Sequence, residues 1–361
     1  TNGKLLSTDR TWEVIKNYNI GLDFGFLDNR LTGTAELFWK KCNNMLIDVT
    51  YPGTLGDKAP TANRGSFKAN GWEGTINWSD KIGEISYHLG GTFTYTTNKL
   101  VDNGGDAVIK SGVVSNREGY PLNSVFGLKY CGKIQTQDQL DKYINQYANG
   151  NNNIAMPGNL RLGDNMYEDV NKDGKLTEAD YVYLGTDDPK VSFSFNAGLS
   201  WKGFDVSVIF QGAGKRTVWR GGENNQKGKN DNWRIPMMSW YNNSTNQSVG
   251  NVWSAETPNA HYPTYTHQTQ INLYNYICSS WSVEDGAYLR LKNVTLGYTF
   301  PANVLSKTKF ISYARIYVSG ADLWENSKIK DGWDPEASRK VETFGRYPFT
   351  RNLTVGLNLT F

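Results

Sequence analysis

The sequence predicts an all-β fold: a transmembrane antiparallel β-barrel with long extracellular loops. Two patterns point to it, a period-two alternation of apolar and polar residues and an alternation of short and long connections. Composition agrees, since aromatic residues make up 13% of the chain while only 38% of residues are hydrophobic and mean hydropathy is -0.57. Barrel strands turn alternate residues to lipid and to water, which keeps the average hydropathy low.

Nine segments alternate in this way and are predicted as strands. In the clearest of them, from Val191 to Trp201, Val, Phe, Ala, Leu and Trp alternate with Ser, Asn and Gly. Lys202 and Gly203 then form a turn into the next segment, which predicts a β-hairpin. We expect a bulge near Lys292 and Asn293. The predicted strands are 19–27, 30–41, 71–78, 85–95, 191–201, 204–210, 288–300, 311–319 and 353–361.

The connections alternate between short turns and long loops. Short ones follow positions 27, 78, 201 and 300, and long ones follow positions 41, 95, 210 and 319. Outer-membrane barrels have tight periplasmic turns and long extracellular loops, and they use even numbers of strands. Nine strands therefore predict further strands on the amino-terminal side. The alternative is a missed strand between Gly119 and Ile134, around Val125, Gly127 and Tyr130.

Several classes of protein are disfavoured. No apolar run approaches the roughly 18 residues that a membrane helix needs. The net charge of +3 gives no electrostatic case for nucleic acid. Cys42, Cys131 and Cys278 lie far apart and suggest neither a disulfide framework nor a zinc site. No leader peptide begins at Thr1, so we expect a targeting segment upstream.

One acidic segment has the spacing of a calcium loop. Oxygen-bearing side chains occupy positions 1, 3, 5, 9 and 12 of a twelve-residue segment, with Gly174 at position 6. The predicted ligands of a structural Ca²⁺ are Asp169, Asn171, Asp173, the carbonyl of Lys175, Thr177 and Asp180. Asp180 replaces the usual Glu, and the alternative is an unoccupied loop held by its own Asx turns.

The sequence offers little for catalysis, and we expect no enzyme. His88 lies on a predicted strand, while His261 and His267 lie in a loop, and no hydrolase, zinc or nucleotide motif surrounds them. The same region, from Trp219 to Trp281, is rich in aromatic and amide side chains that suit sugar or peptide ligands. Candidate substrate-binding residues are Trp219, Trp233, Trp240, Tyr262 and Tyr265. Packing of these rings within the loop or against a partner lid explains the composition at least as well.

Motifs along nearly the whole chain resemble the SusC/RagA family of TonB-linked outer-membrane proteins of Bacteroidetes. The most specific are NIGLDFGFLDNRLTG at 19–33, YLRLKNVTLGYTFP at 288–301 and GWDPE at 332–336. Further matches are Trp12 with Glu13, APTAN at 59–63, GWEG at 71–74, the acidic loop at 169–180, FQG at 210–212 and ADLW at 321–324.

The resemblance implies a 22-stranded barrel that imports nutrients, energised by TonB and partnered by a SusD-like surface lipoprotein. Its plug domain and TonB box match nothing here, so residues 1–361 resemble the carboxy-terminal part of the barrel. The family's calcium-type loop maps onto the acidic loop, and the terminal Phe361 resembles a barrel-assembly signal. The expected cargo is oligosaccharide or oligopeptide, and the expected location is a Gram-negative outer membrane.

Two rival functions remain open at this stage. A passive porin or adhesin-like barrel without a plug would show the same strand pattern. A secreted β-rich domain that binds or hydrolyses glycans would share the aromatic loop but would be soluble without detergent.

Overall fold

The computed structural model describes residues 10–47, 61–103, 114–147, 158–219, 250–266, 268–329, 334–336 and 350–361. In chain order the strands are β1 (Val14–Phe26), β2 (Leu31–Ile47), β3 (Ala62–Ile82), β4 (Ile85–Asn103), β5 (Val114–Ser115), β6 (Ser124–Gly127), β7 (Tyr130–Lys133), β8 (Asn165–Tyr167), β9 (Val182–Thr186), β10 (Val191–Trp201), β11 (Phe204–Ala213), β12 (Thr217–Val218), β13 (Glu284–Asp285), β14 (Tyr288–Thr299), β15 (Tyr313–Ser327) and β16 (Asn352–Thr360). The α-helices are α1 (Gln137–Tyr147), α2 (Thr269–Asn275) and α3 (Ala302–Leu305).

Nine long strands of the described ranges form one antiparallel sheet. Their order is β1-β2-β3-β4-β10-β11-β14-β15-β16, so each strand pairs with the next long strand of the chain. All nine predicted strands are confirmed. The predicted bulge is confirmed as well, because the register between β14 and β15 shifts between Leu291 and Asn293. Strands β1 and β16 form the two edges of the sheet.

The short turns at one end of the sheet use residues with positive φ. Lys202 and Gly203, between β10 and β11, have φ of 47° and 88°. Positive φ at both central residues is typical of a type I′ turn, whose twist matches that of the flanking strands. The turn between β3 and β4 begins at Gly83, rather than directly after Trp78 as predicted, because Ile82 and Ile85 pair with each other and extend both strands.

One face of the sheet is apolar and open to its surroundings. Register places Ile20 beside Leu37 and Leu37 beside Trp72, and their exposed fractions are 65%, 46% and 44%. The pattern continues to the last strand, where Leu357 is 61% exposed. Soluble proteins rarely expose a continuous apolar patch of more than a few hundred Å². A lipid-facing barrel wall has this exposed apolar face because alternate residues contact hydrocarbon.

The described parts of the two long excursions from the sheet, 104–190 and 214–287, pack on each other through a core of their own. Its buried members are Leu128, Ile134, Leu140, Tyr143, Tyr147, Leu160, Tyr167, Leu176 and Tyr274. The hydroxyl oxygens of Tyr143 and Tyr274 are 2.6 Å apart, and the Tyr167 amide donates to Tyr143 Oη at 2.8 Å. We call this packed region the loop unit. Among the described residues, no helix is long and apolar enough to cross a membrane.

Two short strands do lie between Gly119 and Ile134, where a missed strand was the alternative, but neither joins the nine-stranded sheet. Val125 and Gly127 belong to β6, which pairs with β5 and β9 in a separate three-stranded sheet. Tyr130 belongs to β7, which pairs with β8. All residues of β6 are buried, so this strand has no face for lipid and serves the loop unit instead.

A paired substitution tests which face meets lipid. Ile76→Lys on the apolar face should destabilise the complete barrel in phospholipid vesicles by about 2–4 kcal/mol, because it places a charge near mid-membrane. The matched control is Thr75→Lys, one residue away on the opposite face, where Glu73 lies nearby. Urea unfolding followed by tryptophan fluorescence measures both. Equal losses in the two variants would contradict the assignment of faces.

Candidate functional site

The face opposite the apolar one, the polar face, has a continuous row of hydrogen-bonding side chains across eight strands. In register order the row contains Asp23, Thr34, Thr75, Thr92, Ser194, Gln211, Arg290 and Glu325. The hydroxyl oxygens of Thr34 and Thr75 lie 2.8 Å apart, as do those of Thr92 and Ser194. Such pairs stabilise neighbouring strands and leave further donors and acceptors for a contacting surface.

Acidic side chains collect beside this row at the β1 to β3 end. Glu36 lies directly opposite Glu73, and both line a shallow depression with Asp23. Like charges that face each other across strands repel. This part of the polar face therefore favours contact with hydrogen-bond donors or cationic groups.

Arg290 is the centre of a charge cluster at the other end of the row. Its side chain is fully buried, and it forms ion pairs with Glu325, Asp334 and Glu336, the last two at 2.7 and 2.9 Å. The hydroxyl of Tyr288 donates to Glu336 at 2.7 Å. A buried guanidinium needs such partners, since an unpaired buried charge is strongly destabilising.

The same cluster attaches residues 334–336, which belong to the connection between β15 and β16, to the wall. Asp334 and Glu336 are bound by Arg290, and the Arg216 guanidinium donates to the Pro335 carbonyl at 3.1 Å. Arg216 is itself paired with Asp187 at 2.7 Å. The cluster thus joins three excursions from the sheet at one place.

A groove of about 610 Å³ opens beside the attached segment. Its walls combine hydroxyl and amide groups of the row with the charged groups of the cluster. The lining residues are Thr92, Thr94, Pro189, Ser192, Phe193, Ser194, Gln211, Gly212, Ala213, Arg216, Tyr288 and Glu336. This lining suits a neutral, polar chain that offers many hydrogen bonds, more than an apolar ligand.

The acidic loop is closed by its own hydrogen bonds. Asp169 is buried, and its carboxylate accepts the amides of Lys172 and Gly174 at 2.6 and 2.8 Å. Asp180 is fully buried and accepts the amides of Val170 and Thr177 at 2.9 and 2.8 Å. Within the described ranges, no group of three or more His, Cys, Asp or Glu side chains is placed to hold a metal ion. The calcium ligand set stays a prediction.

The candidate substrate-binding residues divide into three groups. Trp219 is only 7% exposed and packs in the loop unit with Val125 and Cys278. Tyr262 packs against His261, with ring centroids 4.8 Å apart, whereas Tyr265 is 41% exposed. Trp233, Trp240 and His267 lie outside the described residues. Of the described candidates, Tyr265 presents the most open ring.

His261 is poorly suited to carry a positive charge at neutral pH. Partial burial of its imidazole and the nearby Lys133 ammonium lower its pKa, and the Glu284 carboxylate opposes that shift. Its ring lies 5.3 Å from that of Trp281. The lowered pKa favours the neutral imidazole, which packs as an aromatic ring.

The chain is similar over its length to several TonB-dependent receptors, although no family model matches it. It is 27% identical to TonB-dependent receptor P26 of Formosa agariphila, over 100% of this chain and 36% of that protein. It is 23% identical to TonB-dependent receptor SusC of Bacteroides thetaiotaomicron, over 99% of this chain and 33% of that protein. The chain spans about a third of the length of these curated relatives.

Solved structures share the fold. The RagAB peptide importer in its open-open state matches this chain with a TM-score of 0.73 at 20% identity. The match covers 98% of this chain and 35% of the RagAB chain. Its closed-closed state gives a TM-score of 0.71 at 21% identity, with 36% of that chain covered. The predicted resemblance to SusC/RagA proteins and the predicted antiparallel barrel fold are both confirmed.

Sequence reasoning missed the Arg290 cluster. The GWDPE motif contributes to the family resemblance, but its partner Arg290 lies 44 positions before Asp334, and no local pattern joins them. Alternation does place Arg290 among the residues of the polar face. The signal that could have revealed the cluster is a cationic residue on an otherwise hydroxyl-rich face of the strand.

Removal of the Arg290 guanidinium should release residues 334–336. Arg290→Met leaves three carboxylates without their main cation, and we expect a loss of about 3–5 kcal/mol. Hydrogen exchange of a peptide containing 334–336, in the complete protein, should rise with it. The control is Lys328→Gln, whose ion pair with Asp285 involves a lysine that is 70% exposed and should contribute at most about 1 kcal/mol. Unchanged exchange in Arg290→Met would show that the cluster does not hold the segment.

Proposed function

We propose that the complete protein imports oligosaccharides or oligopeptides across the outer membrane of a Gram-negative bacterium, energised by TonB. The observation that carries the proposal is the similarity of the whole chain to named TonB-dependent receptors. The sheet supports it physically, since one face suits lipid and the other is lined with hydrogen-bonding groups. These relatives are named receptors rather than enzymes, and the proposed work is binding and passage without bond cleavage.

The proposed partners are TonB, through a region outside this chain, and a SusD-like surface lipoprotein above the loop unit. The loop unit would provide the contact surface, because its core holds both long excursions in a fixed shape. Exposed Tyr265 and the hydroxyl-lined groove are the proposed cargo contacts. Sugars and peptides both suit an aromatic ring beside hydroxyl and amide groups.

Uptake by cells tests the import proposal directly. A strain expressing the full-length protein should accumulate labelled oligosaccharide or oligopeptide, and deletion of TonB should abolish accumulation. The isolated protein should conduct little in a planar bilayer. Uptake that persists without TonB, together with a large open conductance, would support the passive porin and overturn the proposal.

We also propose a structural calcium ion in the acidic loop. The donor set consists of hard oxygen ligands, which is the chemistry that Ca²⁺ prefers. Asp169, Asn171, Asp173, the Lys175 carbonyl, Thr177 and Asp180 would hold it. The bound ion would neutralise the carboxylates and fasten the loop to the core of the loop unit, where Leu176 is fully buried.

Chelation and substitution test the calcium proposal. Removal of Ca²⁺ with EGTA should lower the thermal midpoint of the loop unit, since an ion that binds only the folded state stabilises it. Asp173→Asn should abolish the calcium response. Lys175→Ala is the matched control, because it retains the backbone carbonyl. A midpoint that ignores both EGTA and added Ca²⁺ would mean that the loop is closed by its hydrogen bonds alone.

A further inference from the structure

Four lysines form a row on the outward, apolar face of the sheet. Register places Lys16 directly opposite Lys41, Lys41 opposite Lys68, and Lys68 opposite Lys99. All four side chains are exposed. Adjacent strands are about 4.8 Å apart, so the row extends for roughly 14 Å across β1 to β4. We call these residues the lysine row.

The lysine row interrupts the apolar face near one end of the sheet, with Val14 as the next outward residue beyond Lys16 on β1. The next outward-facing pair below it is Tyr18 with Trp39, which are 63% and 45% exposed, and Ile20 with Leu37 follows. The row stands at the end of the sheet that has the long connections, because β2 and β4 lead into 48–61 and 104–113. Tyr and Trp concentrate at the boundary between hydrocarbon and headgroups. The lysines are therefore at headgroup height in the leaflet on the loop side.

No ion pair within the described ranges neutralises these charges. None of the four lysines forms an ion pair or hydrogen bond there. The acidic residue nearest to the row on the outward face is Asp102, which pairs with Ser66, two positions from Lys68, and has an interaction of its own. Like charges directly opposite each other destabilise a sheet. A row of four is unfavourable unless an anion lies against it.

The lysine row fits phosphate groups attached to lipid. Ammonium groups bind phosphate as point charges, and basic clusters beside a membrane attract anionic headgroups. The rings of Tyr18 and Trp39 lie immediately below and would contact the acyl region of the same molecule. We propose that the lysine row is a binding site for phosphorylated lipid of the leaflet on the loop side, such as lipid A. The inference rests on the membrane location in the proposed function and is independent of cargo and TonB.

Native mass spectrometry of the detergent-extracted full-length protein tests this proposal, with monophosphorylated lipid A as the probe. The variant with both Lys41→Gln and Lys68→Gln should retain on the order of thirtyfold less lipid A, at about 1 kcal/mol for each lysine. The matched control is Lys40→Gln, because Lys40 pairs with Asn17 on the polar face. Retention should also fall with added salt.

Three outcomes would overturn the proposal. They are equal retention in the double variant and in Lys40→Gln, equal binding of dephosphorylated lipid A, and full displacement by the same concentration of inorganic phosphate. A second double variant, Lys16→Gln with Lys99→Gln, should also lose retention, and it decides the matter if the first does not fold. Heat-dependent gel mobility checks folding. Failure of lipid binding with normal TonB-dependent uptake would refute only this inference.

Discussion

Cross-strand register is the constraint on which the rest of the structure depends. A slip of one residue in β3 relative to β2 would exchange the faces of β3, carrying Thr75 to lipid and Trp72 to the polar side. Register thus decides which residues of each strand point outward. The apolar face, the hydrogen-bonding row and the lysine row all follow from it. The positive-φ turns at Lys202 and Gly83 fix the starting point of each pairing.

The sheet was predictable from sequence because period-two alternation reports local environment residue by residue. The strands from 191 to 210 and the bulge at Asn293 were found for that reason. The strand ends were less predictable. Strands β3 and β4 continue well past their apolar segments. There the outward face carries Asn70, Lys68 and Lys99 instead of apolar residues, so the alternation of the wall is lost while backbone pairing persists.

The loop unit and the charge cluster were hidden from sequence reasoning because their contacts are distant along the chain. Tyr143 and Tyr274 are 131 positions apart, yet their hydroxyls are hydrogen-bonded in the buried core. Aromatic and amide composition in such segments fits both a ligand surface and internal packing. The structure assigns Trp219 to packing and leaves Tyr265 exposed. The spacing of Asp169 and Asp180 likewise fits both a calcium site and a loop closed by its own hydrogen bonds. In the structure their carboxylates accept hydrogen bonds from loop amides.

The separate core of the loop unit has an evolutionary consequence. Leu128, Tyr167 and Tyr274 are buried among residues of the excursions, not against the apolar face of the wall. Substitutions in the excursions therefore need not keep the alternation of apolar and polar residues that the membrane imposes on the strands. A lineage can remodel what its outer surface recognises, by substitution or recombination of 104–190 and 214–287, while the scaffold stays constant. Diversification of specificity would then be fastest in these two segments.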